Sequence, residues 1–266
     1  MPTVRISGLE IGYRAAGEGP PLLLLHGAAS DGRDWRPQLE GLAEDLTVVA
    51  WDEPGAGGSS DPPAAFGLDS FAHVLADFIA ALDLAPAHVG GLSWGGVLAL
   101  ELYRLHPESV GTLILADTYA GWKGSLPAEE VEARISGVRR ALDVPPGEFV
   151  AHVPGLFADQ PQPDVVAEME RIMADVRPDS MRRTMELVAE CDLSDLLPRI
   201  SVPTLLIWGD QDARSPVEVV GRQFQDAVPG AELALIPGAG HLSNLEQPAH
   251  FNRAVRDFCR AHPLSR

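Results

Sequence analysis

Ser93 lies at the centre of AHVGGLSWGGVL (Ala87–Leu98), with Gly91 and Gly95 two residues away on either side. A hydroxyl in G-x-S-x-G suits presentation as a nucleophile on a turn too sharp for neighbouring Cβ atoms. A serine that merely caps the next helix would show the same letters, so the stretch needs partners elsewhere in the chain. A serine attacks a carbonyl only when a base takes its proton and an acid orients that base.

Eight histidines compete for the role of base. His26 follows a short apolar run in LLLLHGAAS and is expected to support its loop by hydrogen bonding. His73 and His88 fall inside a predicted helix and strand, His106 closes a helix, His152 lies in a helical region, and His250 and His262 belong to the last helix. His241 differs, because IPGAGHLSNLEQP places it on a glycine-rich loop between the last predicted strand and the final helix. For the acid, LLIWGDQDARSP offers Asp210 and Asp212, and Asp117 at the end of another strand is a third candidate. Asp212 is preferred. Asp210 directly follows Gly209 and suits a turn in which it bonds its own backbone, whereas Asp212 projects further along the loop. The chain order Ser93, Asp212, His241 is that of nucleophile, acid and histidine. A tetrahedral oxyanion also needs donors, expected from the amides of Trp94 and of Ala28 in the HGAAS loop. Trp94 enters through its amide and not its indole.

Three such loops need a scaffold that gathers strand ends. Short β-branched or leucine-rich runs at Val4–Ile6, Leu9–Tyr13, Pro21–Leu25, Leu46–Ala50, Ala87–Leu92, Val110–Ala116, Val202–Trp208 and Glu232–Ile236 read as strands. Amphipathic stretches around Trp35–Ala43, Ser70–Leu84, Gly95–Leu105, Pro216–Val228 and Pro248–His262 read as helices. This alternation predicts an α/β fold: a mostly parallel eight-stranded sheet with helices on both faces, begun by an antiparallel hairpin. Between Asp117 and about Pro198 only helical stretches occur, such as Glu129–Leu142 and Val165–Val176. That segment reads as a helical insertion over the carboxyl ends of the strands. Residues 1–117 and 199–266 then form the core and 118–198 the cap.

Composition narrows the function from outside. The 266-residue chain is 45% apolar and carries a formal net charge of −18, which argues against a nucleic-acid partner, since a phosphate backbone needs a basic face. No apolar run approaches a membrane span, and MPTVRISGLEIGY lacks the pattern of a secretory signal, so a cytoplasmic location is expected. Cys191 and Cys259 are too few for a disulfide framework and read as apolar residues.

LLLLHGAAS, WDEPGAGGSSDP, VGGLSWGG, LLIWGDQD and PGAGHLSNLEQP, in that order, resemble the α/β-hydrolase superfamily across essentially the whole chain. The resemblance implies Ser93 as nucleophile, Asp212 as acid, His241 as base and Ala28 and Trp94 as oxyanion donors, with no cofactor or metal. It implies a structural role for the Asp52–Ser59 loop. HLSNLEQP and the helical cap are similar to the small-carboxylesterase and enol-lactonase branch, which also holds metal-independent acyl-homoserine lactonases. Serine at the nucleophile position counts against haloalkane dehalogenases and epoxide hydrolases, and no H-x-H-x-D-H cluster supports a metallo-lactonase. The expected reaction is ester or lactone hydrolysis through an acyl-enzyme, on a small-molecule substrate. C–C bond hydrolysis, perhydrolysis and a non-enzymatic ligand receptor that keeps the triad are the other readings. Trp122, Phe149, Leu156, Phe157, Met169 and Met173 are candidates to line an acyl pocket, each against the alternative of ordinary cap core.

Overall fold

The computed structural model describes residues 1–141 and 153–264. Its eight strands are β1 (Thr3–Ile6), β2 (Leu9–Ala16), β3 (Pro21–Leu25), β4 (Thr47–Trp51), β5 (Ala87–Leu92), β6 (Val110–Ala116), β7 (Thr204–Gly209) and β8 (Glu232–Ile236). They form one sheet in the order β1-β2-β4-β3-β5-β6-β7-β8. The first two pairings, β1 with β2 and β2 with β4, are antiparallel, and every later one is parallel.

β3 and β5 are buried at every residue, as central strands covered on both faces must be. Their sequences, PLLLL and AHVGGL, accordingly show no alternation of apolar and polar residues. The edge strand β8 is half-exposed along most of its length. Buried His88 on β5 pairs through Nδ1 with Thr112 Oγ1 on β6, 2.8 Å away.

Helices α1 (Arg36–Gly41), α2 (Leu68–Ala81) and α3 (Trp94–Leu105) belong to the first half of the chain. Between β6 and β7 run α4 (Trp122–Ser125), α5 (Ala128–Ala141), α6 (Pro163–Met173) and α7 (Pro178–Glu190), with no strand among the described residues. After β7 come α8 (Arg222–Ala227), α9 (Ser243–Glu246) and α10 (Pro248–Ala261). The helix expected over Pro216–Val228 divides: Val217–Gly221 forms a wide π-type turn, and only then does α8 begin. α3 is buried at almost every residue, so its sequence carries little polar contrast, whereas α10 alternates a buried Phe251–Val255–Phe258 stripe with exposed arginines. No described helix is long and apolar enough to cross a membrane.

Candidate active site

Ser93 occupies the corner between β5 and α3 with φ +52° and ψ −114°, a strained conformation for a residue with a side chain. The flanking glycines are required by space. A Cβ on Gly91 would run into the Gly95 carbonyl, and one on Gly95 into the Leu25 carbonyl. The Ser93 N–H is held by Ala116 O at 2.9 Å, which fastens the turn to the end of β6.

Ser93 Oγ lies 3.0 Å from His241 Nε2, and His241 Nδ1 lies 2.9 Å from Asp212 Oδ2. A carboxylate only accepts, so Nδ1 carries the proton and Nε2 is free to accept from the serine. The Asp212 carboxylate is fully engaged. Oδ1 accepts from the N–H groups of Arg214 (2.8 Å) and Ser215 (3.0 Å), and Oδ2 also accepts from the Ser215 hydroxyl at 2.5 Å. Burial works to raise its pKa, but the facing His241 and these donors hold Asp212 below the usual carboxylate value. The three side chains expected from separate loops therefore stand in one hydrogen-bonded series.

Asp117 and Asp210, the other candidate acids, make no such contact. Asp117 Oδ1 accepts from Gly209 N (2.8 Å) and Oδ2 from the Ser243 hydroxyl (2.5 Å), tying the end of β6 to β7 and to the histidine loop. Burial, and then the charge of Asp212, drive its pKa well above the normal carboxylate value. Asp210 accepts at 2.8 Å from the N–H of Gly238 on the following loop, so its turn role is across loops and not to its own backbone. His26 holds its loop: Nδ1 donates to Gly27 O at 2.8 Å, and Nε2 accepts from Glu53 N at 3.1 Å. Asp52 takes Arg14 Nη1 and Gly32 N on Oδ1 and Gly58 N on Oδ2, which explains why an acid opens its glycine-rich loop.

Gly27, Ala28, Ser93, Trp94 and His241 all border one cavity of about 360 Å³. Trp94 is the first residue of α3, so its N–H has no carbonyl one turn earlier to bond. The positive end of α3 points the same way. Trp122, Leu156, Met169 and Met173 border the cavity. Phe157 does not; the neighbouring backbone is pinned where Ala158 N donates to Glu246 Oε2 (2.8 Å), and Phe157 packs half-buried on the core. Phe149 lies outside the described residues.

Several wall residues carry no local sequence signal. Met181, Met185 and Val188 come from α7, and Tyr119, Arg134, Arg140 and Arg214 bring polar groups. Arg134 donates to Tyr119 Oη (2.8 Å) and pairs with Glu130 at 2.6 Å, its guanidinium 5.4 Å from the Tyr119 ring centre. The Trp94 indole, which had no assigned part, donates at 2.6 Å to Oε2 of buried Glu53. Glu246 accepts from Gly240 N at 2.9 Å and from Ala158 N, so the acid of HLSNLEQP holds the histidine loop against the helical segment. Neither cysteine borders this cavity, and burial pushes each thiol up to about 12. Among the described residues no group of three or more His, Cys, Asp or Glu is arranged to hold a metal ion.

Comparison with known proteins places the chain in a family. The family model for the alpha/beta hydrolase family matches residues 22–254. A thermophilic esterase from Thermogutta terrifontis superposes with a TM-score of 0.89 at 30% identity, covering 98% of this chain and all of that one. The enol-lactonase from Burkholderia xenovorans LB400 superposes with a TM-score of 0.86 at 25% identity, covering 97% of this chain and all of that one. The putative carbamate hydrolase RutD of Pseudomonas syringae pv. syringae (strain B728a) is 30% identical over 256 residues, covering 92% of this chain and 96% of its own. With its eight-stranded sheet and helical insertion, the chain belongs to the alpha/beta hydrolase family, on the branch shared by these esterase and lactonase neighbours.

Proposed function

We propose that the protein hydrolyses carboxylic ester or lactone bonds through an acyl-enzyme, with Ser93 as nucleophile, His241 as base and Asp212 as orienting acid. The observation that carries this reading is the unbroken series Ser93 Oγ, His241 Nε2, His241 Nδ1, Asp212 Oδ2, with steps of 3.0 and 2.9 Å. His241 takes the serine proton as Ser93 attacks the carbonyl, and the amides of Ala28 and Trp94 receive the oxyanion. His241 then protonates the leaving alcohol, and water repeats the sequence in reverse to free the acid.

The helical segment over residues 118–198 acts as a cap. Its apolar side chains at Trp122, Val138, Met169, Met173, Met181 and Met185 give the cavity the character of an acyl site. A volume of about 360 Å³ suits a small to medium substrate. The neighbours named above, an esterase and an enol-lactonase, support the same reaction class.

The test is a panel of p-nitrophenyl esters of rising chain length, γ-lactones and a carbamate ester, with wild type beside Ser93→Ala. Ser93→Ala should lose about 10⁴- to 10⁶-fold in kcat. Intact-mass measurement during turnover should show an acyl adduct on wild type and none on the variant. Near-wild-type rates in Ser93→Ala would rule the mechanism out.

A further inference from the structure

Asp34 lines the cavity beside the loop that carries Gly27 and Ala28. It sits in a short 3₁₀ turn, Gly32–Trp35, that Asp31 starts by accepting from Arg33 N. Its peptide is fixed, because Asn244 Nδ2 donates to Asp34 O at 3.0 Å. Its carboxyl group is only 1% exposed as a residue, and neither oxygen makes a well-formed hydrogen bond; the neighbouring Ser30 hydroxyl on the same cavity wall is the single donor that acts on it.

The other buried carboxyl groups near the site are all supplied with donors. Asp31 has Arg33, Asp52 has Arg14 and two backbone amides, and Glu53 has the Trp94 indole. Asp117, Asp212 and Glu246 are each held by N–H or hydroxyl groups. A buried acid so poorly supplied with donors costs free energy that a folded protein ordinarily avoids, so the exception calls for a use. His26, Asp31 and Arg33 are the charged or titratable groups that act on Asp34, with the Arg33 guanidinium already bound to Asp31 and Asp175. Burial pushes the Asp34 pKa up to about 7. In either protonation state the group retains an acceptor oxygen.

The wall also limits what can bind there. Arg134, Arg140 and Arg214 border the same cavity, which disfavours a cationic substrate, and a carboxylate placed against Asp34 would meet a second acid. An uncharged substrate group is what remains, and the ionised form of Asp34, which only accepts, selects one that donates. We propose that Asp34, assisted by Ser30, is a specificity-determining residue that accepts a hydrogen bond from a substrate hydroxyl adjacent to the scissile carbonyl. The assignment rests on the ester and lactone reading above and names the class of substrate within it: α-hydroxy esters and lactones.

Matched pairs test it: α-hydroxy-γ-butyrolactone against γ-butyrolactone, and methyl lactate against methyl propionate, by kcat/KM in a pH-stat. Wild type should favour the hydroxylated member by about 10- to 100-fold, the range of a buried hydrogen bond that the analogue cannot make. Asp34→Leu and Asp34→Ala should bring the ratio close to one. Asp34→Asn, which still accepts, should retain part of it, and Ser30→Ala should lower it less than Asp34→Ala. Two alanine and leucine variants guard against a single misfolded protein, with circular dichroism checking each. A merely structural Asp34 would depress both members of a pair together and leave the ratio unchanged, which would overturn the assignment. Equal wild-type rates on both members would sink this subsite alone; no hydrolysis of either pair or of p-nitrophenyl esters would remove the hydrolase reading with it.

Discussion

The carboxyl ends of β6 and β7 each deliver a buried aspartate to the same side of the sheet, Asp117 at 0% and Asp212 at 5% exposure. Asp117 has φ +45°, and its oxygens are spent on Gly209 N and the Ser243 hydroxyl, which lock neighbouring loops together. Asp212 stands three residues beyond the end of β7, where Ser215 and two amides share its oxygens with His241. The same side chain is thus a fastener in one loop and the partner of a base in the other. The environments push their pKa values apart, Asp212 down through His241 and its donors and Asp117 up through burial and the nearby Asp212 charge. Position at a strand end does not by itself bring an acid to His241; the length of the loop beyond the strand does.

The strongest way to break this contrast is Asp212→Asn, which should lower kcat on p-nitrophenyl esters by about 10⁴-fold, because an amide no longer fixes the His241 tautomer. Asp117→Asn should cost less than about tenfold in the same assay. If the two effects were reversed, the roles of the two loops would be exchanged.

Stability should respond the other way. An asparagine at 117 mimics the protonated carboxyl, so Asp117→Asn should raise Tm by about 2–4 °C near neutral pH. The sign follows from the raised folded-state pKa. Below about pH 4 both folded and unfolded carboxyls are protonated and the wild type bears no penalty. The penalty grows as pH rises above that point, so the variant's advantage should be absent in acid and widen toward neutral pH. A Tm difference independent of pH would contradict the assignment of a buried, hard-to-ionise carboxyl.

The smallest expected effect is at Asp210, which is exposed and holds only Gly238 N. Asp210→Ala should change stability by less than about 1 kcal/mol in urea unfolding and leave ester turnover within about twofold. A loss comparable to Asp212→Asn would instead bring Asp210 into the acid role.

Much of this site was legible because its chemistry is local. Gly91, Ser93 and Gly95 announce a tight corner, and GDQDARSP and GAGHLSN place an acid and a histidine just beyond strands of clear apolar character. The alternation of short apolar runs with amphipathic stretches was enough to place eight strands and most of their helices along the chain. Ala28 and Trp94 stood out by position, next to HG and after the serine, and both border the cavity. The split of the 216–228 helix was not legible, since its periodicity continues through the wide turn. Nor was the side on which Phe157 packs, because an aromatic residue in a helical insertion fits a pocket wall and a core equally well.

What the amino-acid order determined by itself is therefore the sheet, the elbow and the loops that carry a serine, a histidine and three candidate acids, since each follows from steric or periodic rules that act over a few residues. Only the tertiary structure decided which of three aspartates meets His241, that the Trp94 indole satisfies Glu53, and that Asp34 is buried with no well-formed hydrogen bond to either oxygen. It also brought Met181, Met185, Arg134 and Arg214 into one wall with Ser93. These are contacts between segments tens to more than a hundred residues apart. They depend on where each loop ends in space, which no local pattern of side chains encodes.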